Sequence, residues 1–299
     1  MARPEPRGVL APVITPFDAG VGVDTPRYVA LCRRLLAEGC DGLVPFGTTS
    51  EAAALSLEEK LALLESLCDA GVPAARLIPG TGLCALPETV RLTRAATAAG
   101  AAGVLLLPPF FYKAIDDDGL YAYTAEVIRR VADDRLRIYL YHIPPVAGVG
   151  WSPDLVVRLA RDFPDTVVGL KDSGGDPAYA RAVLDRLPGF AAFTGNERFL
   201  DDILAHGGAG TITATANIAA GPLARLVHDW DGPEAAALND RVCAYRRALE
   251  TAPVVQGTKA VRAHLDADPD LARVRPPLRP LSEATAAALL ARLASHSTF

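Results

Sequence analysis

The chain is short of lysine. Lysine and arginine together number 30, yet the lysines are four: Lys60, Lys113, Lys171 and Lys259. Arginine therefore carries nearly all the ordinary positive charge. Positive charge as a whole is also outweighed, with 35 acidic residues, a net charge of −5 and a pI near 5.6. That balance lacks the basic footprint of a nucleic-acid-binding protein. The five cysteines, Cys32, Cys40, Cys68, Cys84 and Cys243, are scattered and form no CxxC pair, which argues against a disulfide framework and a zinc site. The five histidines show no HExxH spacing, and no metal is expected. No apolar run of about 18 residues is present, so no membrane span is expected. The opening "MARPEPRGVL" lacks the apolar core of a signal peptide, and the chain reads as cytosolic.

Hydrophobic material is plentiful. Half of the 299 residues are hydrophobic and the mean hydropathy is +0.20, enough for a large core. Short apolar runs recur: "GVLAPVIT" (8–15), "GLVPFG" (42–47), "RLIPGT" (76–81), "GVLLLPP" (103–109), "RIYLYHIP" (137–144), "TVVGLKD" (166–172), "FAAFTG" (190–195) and "GTITAT" (210–215). Amphipathic stretches such as "SLEEKLALLESLCDA" (56–70) lie between them. Continuous apolar strands alternating with helices read as parallel strands buried on both faces. The expected fold class is α/β, a (β/α)8 TIM barrel over residues 1–220, with a C-terminal helical extension over 221–299 packed on it. Helix starts are signalled at Asp24-Thr25-Pro26 and Ser152-Pro153, and Ser56-Leu57-Glu58-Glu59 fits a capping box.

In such a barrel, reactive side chains sit at the C-terminal ends of the strands. Lys171 ends a strand that reads as buried. A lysine there suggests chemistry that arginine cannot perform, because only an amine loses its proton near neutrality and attacks a carbonyl. Desolvation lowers the pKa of such an amine; the bland alternative is an ammonium paired with Asp172 or Glu51. Tyr141 closes the preceding strand and suits a proton shuttle, or else is a core aromatic. His142 alternates to the opposite face, toward the helices. Gly47-Thr48-Thr49 offers hydroxyls and consecutive amides suited to a carboxylate, or is an ordinary strand-to-helix turn. Glu51, at a helix start, reads as support for that turn. "HGGAGT" (206–211) is a weak phosphate signal.

Assembled, the segments "PVITPF" (12–17), "GTTSEAAALS" (47–56), "YHIP" (141–144), "VVGLKDSGGD" (167–176) and "GGAGTITATANI" (207–218) resemble the dihydrodipicolinate synthase / N-acetylneuraminate lyase family of pyruvate-type aldolases. The resemblance runs from about Gly8 to the C-terminus. It implies a Schiff base between Lys171 and the keto group of a 2-keto acid, with Tyr141 as proton shuttle and Thr48 as its hydrogen-bonding neighbour. It implies a substrate carboxylate on Thr48, Thr49 and Gly47, with Ile212 lining the pyruvate pocket. It implies no cofactor or metal, because the protonated imine is the electron sink, and a homotetramer built from two tight dimers.

Two departures stand out. The synthases carry an arginine shortly after YxxP that holds the second substrate's carboxylate, and Val146 matches that place. They also use a tyrosine from the neighbouring subunit, in the loop after the fourth strand; Phe111 matches it, with Tyr112 beside it. His142 stands where many relatives have asparagine. The expected activity is therefore a class I lyase, an aldolase or dehydratase, acting on a 2-keto acid such as a 2-keto-3-deoxy sugar acid or releasing pyruvate. The alternative is 4-hydroxy-tetrahydrodipicolinate synthase, condensing pyruvate with aspartate semialdehyde, with Lys113 as substitute cation. A non-catalytic keto-acid sensor is a third reading, which has no need of Lys171, Tyr141 and the Thr48-Thr49 turn together. The partner is a small-molecule 2-keto acid, with neither nucleic acid nor membrane. Specificity is expected in Phe111, Tyr112, Val146, Trp151 and Asn196.

Overall fold

The computed structural model describes residues 6–296. Along the chain run β1 (Gly8–Ala11), α1 (Thr25–Ala37), β2 (Gly42–Leu43), α2 (Leu57–Asp69), α3 (Leu86–Ala98), β3 (Val104–Leu106) and α4 (Asp117–Val131). Next come β4 (Ile138–His142), α5 (Pro144–Ala147), α6 (Pro153–Asp162), β5 (Val167–Asp172), α7 (Pro177–Leu184), β6 (Ala191–Thr194), α8 (Leu200–Ala205) and β7 (Gly210–Ile212). Four helices follow: α9 (Ala220–His228), α10 (Ala235–Leu249), α11 (Val254–Leu265) and α12 (Glu283–Ala294).

The helix starts follow the local chemistry of the sequence. Asp24 and Ser152 accept from the backbone N–H of Arg27 and Leu155, each with proline in the first turn. Ser56 and Glu59 form the full reciprocal capping box, at 3.1 and 2.8 Å. Such caps satisfy helix N–H groups that have no partner inside the helix.

The described residues divide into two compact units, one of residues 6–7 and 73–211, the other of residues 8–72 and 212–296. In the first, β3, β4, β5, β6 and the start of β7 pair side by side, all in parallel. All six residues of β5 are buried, as expected for a parallel strand covered on both faces. One expected strand, "RLIPGT", is reduced to a single parallel bridge between Gly80 and Leu105. Leu105 donates to the Pro79 carbonyl at 2.8 Å and accepts from Thr81 at 3.0 Å. Pro79 itself has no N–H to extend the ladder. Seven strands rather than eight are therefore regular among the described residues.

In the second unit β1 and β2 pair in parallel, Leu10 with Gly42 and Ala11 with Leu43. Asn217, fully buried, ties the strand exit to the chain after β7: its amide donates to Pro12 O and accepts from Ile14 N–H, at 3.0 and 3.1 Å. The last three helices share a core of Tyr245, Ala248, Leu249, Val261, Leu289 and Leu293, joined by Ile218 and Ala219. Each large aliphatic chain buried there contributes about 1.5–3 kcal/mol of transfer free energy. No helix among the described residues is long and apolar enough to cross a membrane.

Candidate active site

Strands β4 and β5 run in register with Tyr139 against Gly169, Tyr141 against Lys171 and His142 against Asp172. Side chains alternate along a strand, so Tyr139 and Tyr141 share one face. The Tyr139 ring occupies the space beside Gly169. A Cβ at Gly169 would stand 2.4 Å from Tyr139 Cδ1 and 2.5 Å from Ala191 O, so only glycine fits. The same ring tilts against Phe193, with centroids 6.1 Å apart. Above this aromatic layer the next pair along the strands is Tyr141 and Lys171, each 4% exposed. The Lys171 ammonium donates to the Tyr141 hydroxyl at 3.3 Å and lies 4.3 Å from the centre of its ring. Among the described residues of this unit, no carboxylate pairs with Lys171. An amine and a phenol held together in an apolar setting are the parts needed to attack a carbonyl and move the resulting protons.

The opposite face carries His142. Its ring stacks on Tyr179 of α7 at 3.8 Å between centroids, nearly coplanar at 13°. The Trp151 N–H donates to His142 Nδ1 at 3.2 Å, which leaves the ring proton on Nε2. Burial pushes the imidazole pKa down to about 4, against the pull of that hydrogen bond. Asp172 beside it is pushed up to about 6 by burial; the Gly174 N–H opposes the rise and Asp176 adds to it. Trp151, fully buried, also donates its indole N–H to the Tyr141 carbonyl at 3.1 Å. One residue thus pins both Tyr141 and His142 by hydrogen bonds. Trp151, expected to bear on specificity, also clamps the strand end.

After β2, Gly47, Thr48 and Thr49 form one tight turn. Ser50 and Ala52 donate to Gly47 O at 3.1 and 3.2 Å, Glu51 donates to Thr48 O at 3.1 Å, and the Ser50 hydroxyl accepts from Gly47 N–H at 3.2 Å. Thr48 is exposed and Thr49 buried. Among the described residues, neither the N–H nor the hydroxyl of Thr49 has a hydrogen-bond partner. A backbone and a side-chain donor standing uncommitted on one residue suit an anionic ligand.

The remaining expected residues fall into place unevenly. Ile212, at the end of β7, is fully buried. Phe111 and Tyr112 are 72% and 73% exposed and meet edge to face at 5.4 Å. Val146, on α5, is 67% exposed. The Lys113 ammonium is spent on the carbonyls of Phe110 and Ala147, at 2.5 and 2.7 Å. Asn196 caps the short turn that follows β6 through Arg198 N–H. In "HGGAGT", a Cβ on Gly208 would meet Ile203 O at 2.7 Å and Ala192 O at 3.1 Å, so that glycine serves close backbone packing. The structure therefore joins Lys171 to Tyr141 and Phe111 to Tyr112, and keeps Gly47, Thr48 and Thr49 on one turn.

Comparison with known proteins extends these observations. The family model described as the dihydrodipicolinate synthetase family matches residues 5–296. A protein named an uncharacterized DapA-like lyase, from Chloroflexus aurantiacus, is 35% identical over 290 residues, 96% of each chain. A 4-hydroxy-tetrahydrodipicolinate synthase from Thermus thermophilus is 40% identical over 212 residues, 71% of this chain and 69% of that protein. Dihydrodipicolinate synthase from Agrobacterium tumefaciens superposes with a TM-score of 0.91 at 30% identity, covering 97% of this chain and 99% of that one. A prophage protein of the same family from E. coli, crystallised with pyruvate, superposes with a TM-score of 0.90 at 28% identity, covering 98% and 99%. Matched over nearly its whole length in sequence and in structure, the chain belongs to the dihydrodipicolinate synthetase family of lyases and has its (β/α)8-barrel fold.

Proposed function

We propose that the chain is a lysine Schiff-base lyase acting on a 2-keto acid, with a 2-keto-3-deoxy sugar acid as substrate and pyruvate as a product. The observation that carries this reading is the buried Lys171 ammonium 3.3 Å from the Tyr141 hydroxyl, at the paired ends of β4 and β5. In this reading the Lys171 amine adds to C2 of the keto acid, and loss of water leaves a protonated imine. The imine accepts the electron pair of the breaking C3–C4 bond, which releases an aldehyde and leaves an enamine. Tyr141 removes the proton from the departing hydroxyl and returns one to C3 of the enamine. Water then hydrolyses the imine and frees pyruvate. The imine is the electron sink, so the chemistry calls for no cofactor. Thr48 serves as the hydrogen-bonding neighbour of Tyr141. The carboxylate of the acid is assigned to the turn of Gly47, Thr48 and Thr49, a reading supported by the uncommitted donors of Thr49. Ile212 is assigned to the pocket wall.

A second reading, synthesis of 4-hydroxy-tetrahydrodipicolinate from pyruvate and aspartate semialdehyde, is favoured by the name of the Thermus thermophilus relative. Against it stands apolar Val146 where the synthases have arginine, with Lys113 already committed to two carbonyls. The proposal includes a homotetramer of two tight dimers, supported by the exposed ring pair of Phe111 and Tyr112, to which substrate contact is also assigned. The deciding experiment is borohydride trapping with pyruvate and a panel of 2-keto-3-deoxy acids, followed by peptide mapping and a turnover assay with aspartate semialdehyde. A reduced adduct on Lys171 with cleavage of a deoxy acid supports the first reading. Turnover of aspartate semialdehyde alone selects the second, and a folded protein that traps no acid overturns both.

A further inference from the structure

The turn assigned to the substrate carboxylate ends at Glu51, and Glu51 is held by a residue far along the chain. The Lys259 ammonium, on α11, donates to Glu51 Oε1 at 2.5 Å; both side chains are closed to solvent, at 0% and 1% exposure. The same ammonium donates to Thr15 O at 2.7 Å, and the Thr15 hydroxyl donates to Ser50 O at 2.7 Å. The other carboxylate oxygen of Glu51 accepts the backbone N–H of Arg275 at 2.9 Å. The Arg275 guanidinium in turn grips Glu59 with two hydrogen bonds, at 2.9 and 2.8 Å, and donates to Ala54 O at 2.7 Å. Both cations approach the Phe17 ring, whose centre is 4.4 Å from Lys259 Nζ and 4.6 Å from Arg275 Cζ.

These bonds end on the turn, on the 54–59 segment that follows it, or on Thr15, which itself holds Ser50 O. The Arg275 guanidinium also donates to Val21 O, at 3.0 and 2.7 Å. Glu51 itself adopts φ 56°, the left-handed region that a residue with a Cβ occupies only when its surroundings hold it there. Its N–H closes the turn on Thr48 O while its two carboxylate oxygens are fixed from α11 and from the segment beyond it. A buried ion pair is weak evidence for stability, and fixing one conformation is a use such pairs have in some proteins. We infer that Glu51 and Lys259 are positioning residues that set the conformation of the Gly47–Ser50 turn, so that the C-terminal helices form part of the carboxylate-binding apparatus. The inference rests on the reading of that turn as the carboxylate site.

The test compares borohydride trapping on Lys171 with pyruvate and with acetone, a ketone without a carboxylate. It uses the wild-type protein, Glu51→Gln, and the double variant Glu51→Gln/Lys259→Met, which strands no buried charge. Folding is checked by circular dichroism. The expected result is a fall of about tenfold or more in the preference for pyruvate over acetone, the worth of one charge-assisted hydrogen bond, with acetone trapping unchanged. Folded variants that keep the wild-type preference overturn the inference. So does an equal loss with both ketones, or the failure of both variants to fold, either of which makes the pair scaffold alone. A wild-type protein that traps acetone as readily as pyruvate removes the carboxylate role of the turn. One that traps neither removes the Schiff-base reading itself.

Discussion

Lys171 and Lys259 are both shut away from water, at 4% and 0% exposure, and their partners differ in kind. Lys171 faces a phenol, edge and ring, with no carboxylate of its own unit paired to it among the described residues. Lys259 faces a carboxylate and a carbonyl. Burial pushes the Lys259 ammonium down to about 8, and the Glu51 charge opposes that fall. A carboxylate neighbour favours the charged amine and so works against a nucleophile; a tyrosine hydroxyl exerts no such hold and can carry a proton. The lesson is that burial alone does not mark a reactive lysine. Lys60 is buried as well and donates to Leu55 O at 2.8 Å. Three of the four lysines are therefore buried. Scarcity of lysine singles out none of them; the partner does.

The comparison breaks most sharply at the amines. Lys171→Arg should reduce borohydride trapping and turnover to background, whereas Lys259→Met, where folded, should still form the adduct on Lys171. A trapped peptide containing Lys259 would reverse the two roles. Next in size is Tyr141→Phe, which should leave adduct formation intact and slow turnover by about 10²- to 10⁴-fold, the usual worth of a proton-transfer group. Unchanged turnover in that variant would demote Tyr141 to a packing residue.

Stability should order the lysines the other way. Lys259→Met leaves the buried Glu51 carboxylate without its cation and should cost about 3–5 kcal/mol in urea denaturation. Lys171→Met orphans no buried carboxylate of its unit and should cost much less. Equal losses would erase the distinction between a structural and a chemical lysine.

The smallest effect concerns the pair one step beyond Tyr141 and Lys171. His142 titrates near 4 when folded against an ordinary 6.5, so the unfolded chain binds the extra proton between those values and stability falls as pH drops. Asp172 titrates near 6 against an ordinary 3.8, so the folded chain binds the extra proton and stability rises as pH drops from about 6 to 4. The two oppose each other in one window. Relative to wild type, Asp172→Asn should lose about 1 kcal/mol more on acidification from pH 7 to 4.5, and His142→Asn should lose about as much less, after allowing for partial exposure. Thermal denaturation at the two pH values checks both signs.

Much of the fold was legible because its signals are local. Apolar runs, caps and proline positions act within a few residues, and alternation along a strand places Tyr141 and His142 on opposite faces. The lapse at "RLIPGT" came from Pro79, whose missing N–H interrupts a ladder that composition alone predicts as continuous. The clamp of Trp151 on Tyr141 was hidden because an indole ten residues away, beyond the short helix α5, has no pattern to announce it. Lys113, read as a substitute cation, is occupied by carbonyls that only the folded loop supplies.

The sequence by itself determined that strands and helices alternate, that a lysine and a tyrosine close neighbouring strands, and which family those motifs resemble. Each of these follows from residue type and short-range spacing. The tertiary structure alone decided which lysine meets a tyrosine and which meets a glutamate. Glu51 and Lys259 are 208 residues apart along the chain, and no periodicity reaches so far. The properties of a buried amine are set by the charges and dipoles within a few ångströms of it, and those neighbours are assembled only when the chain has folded.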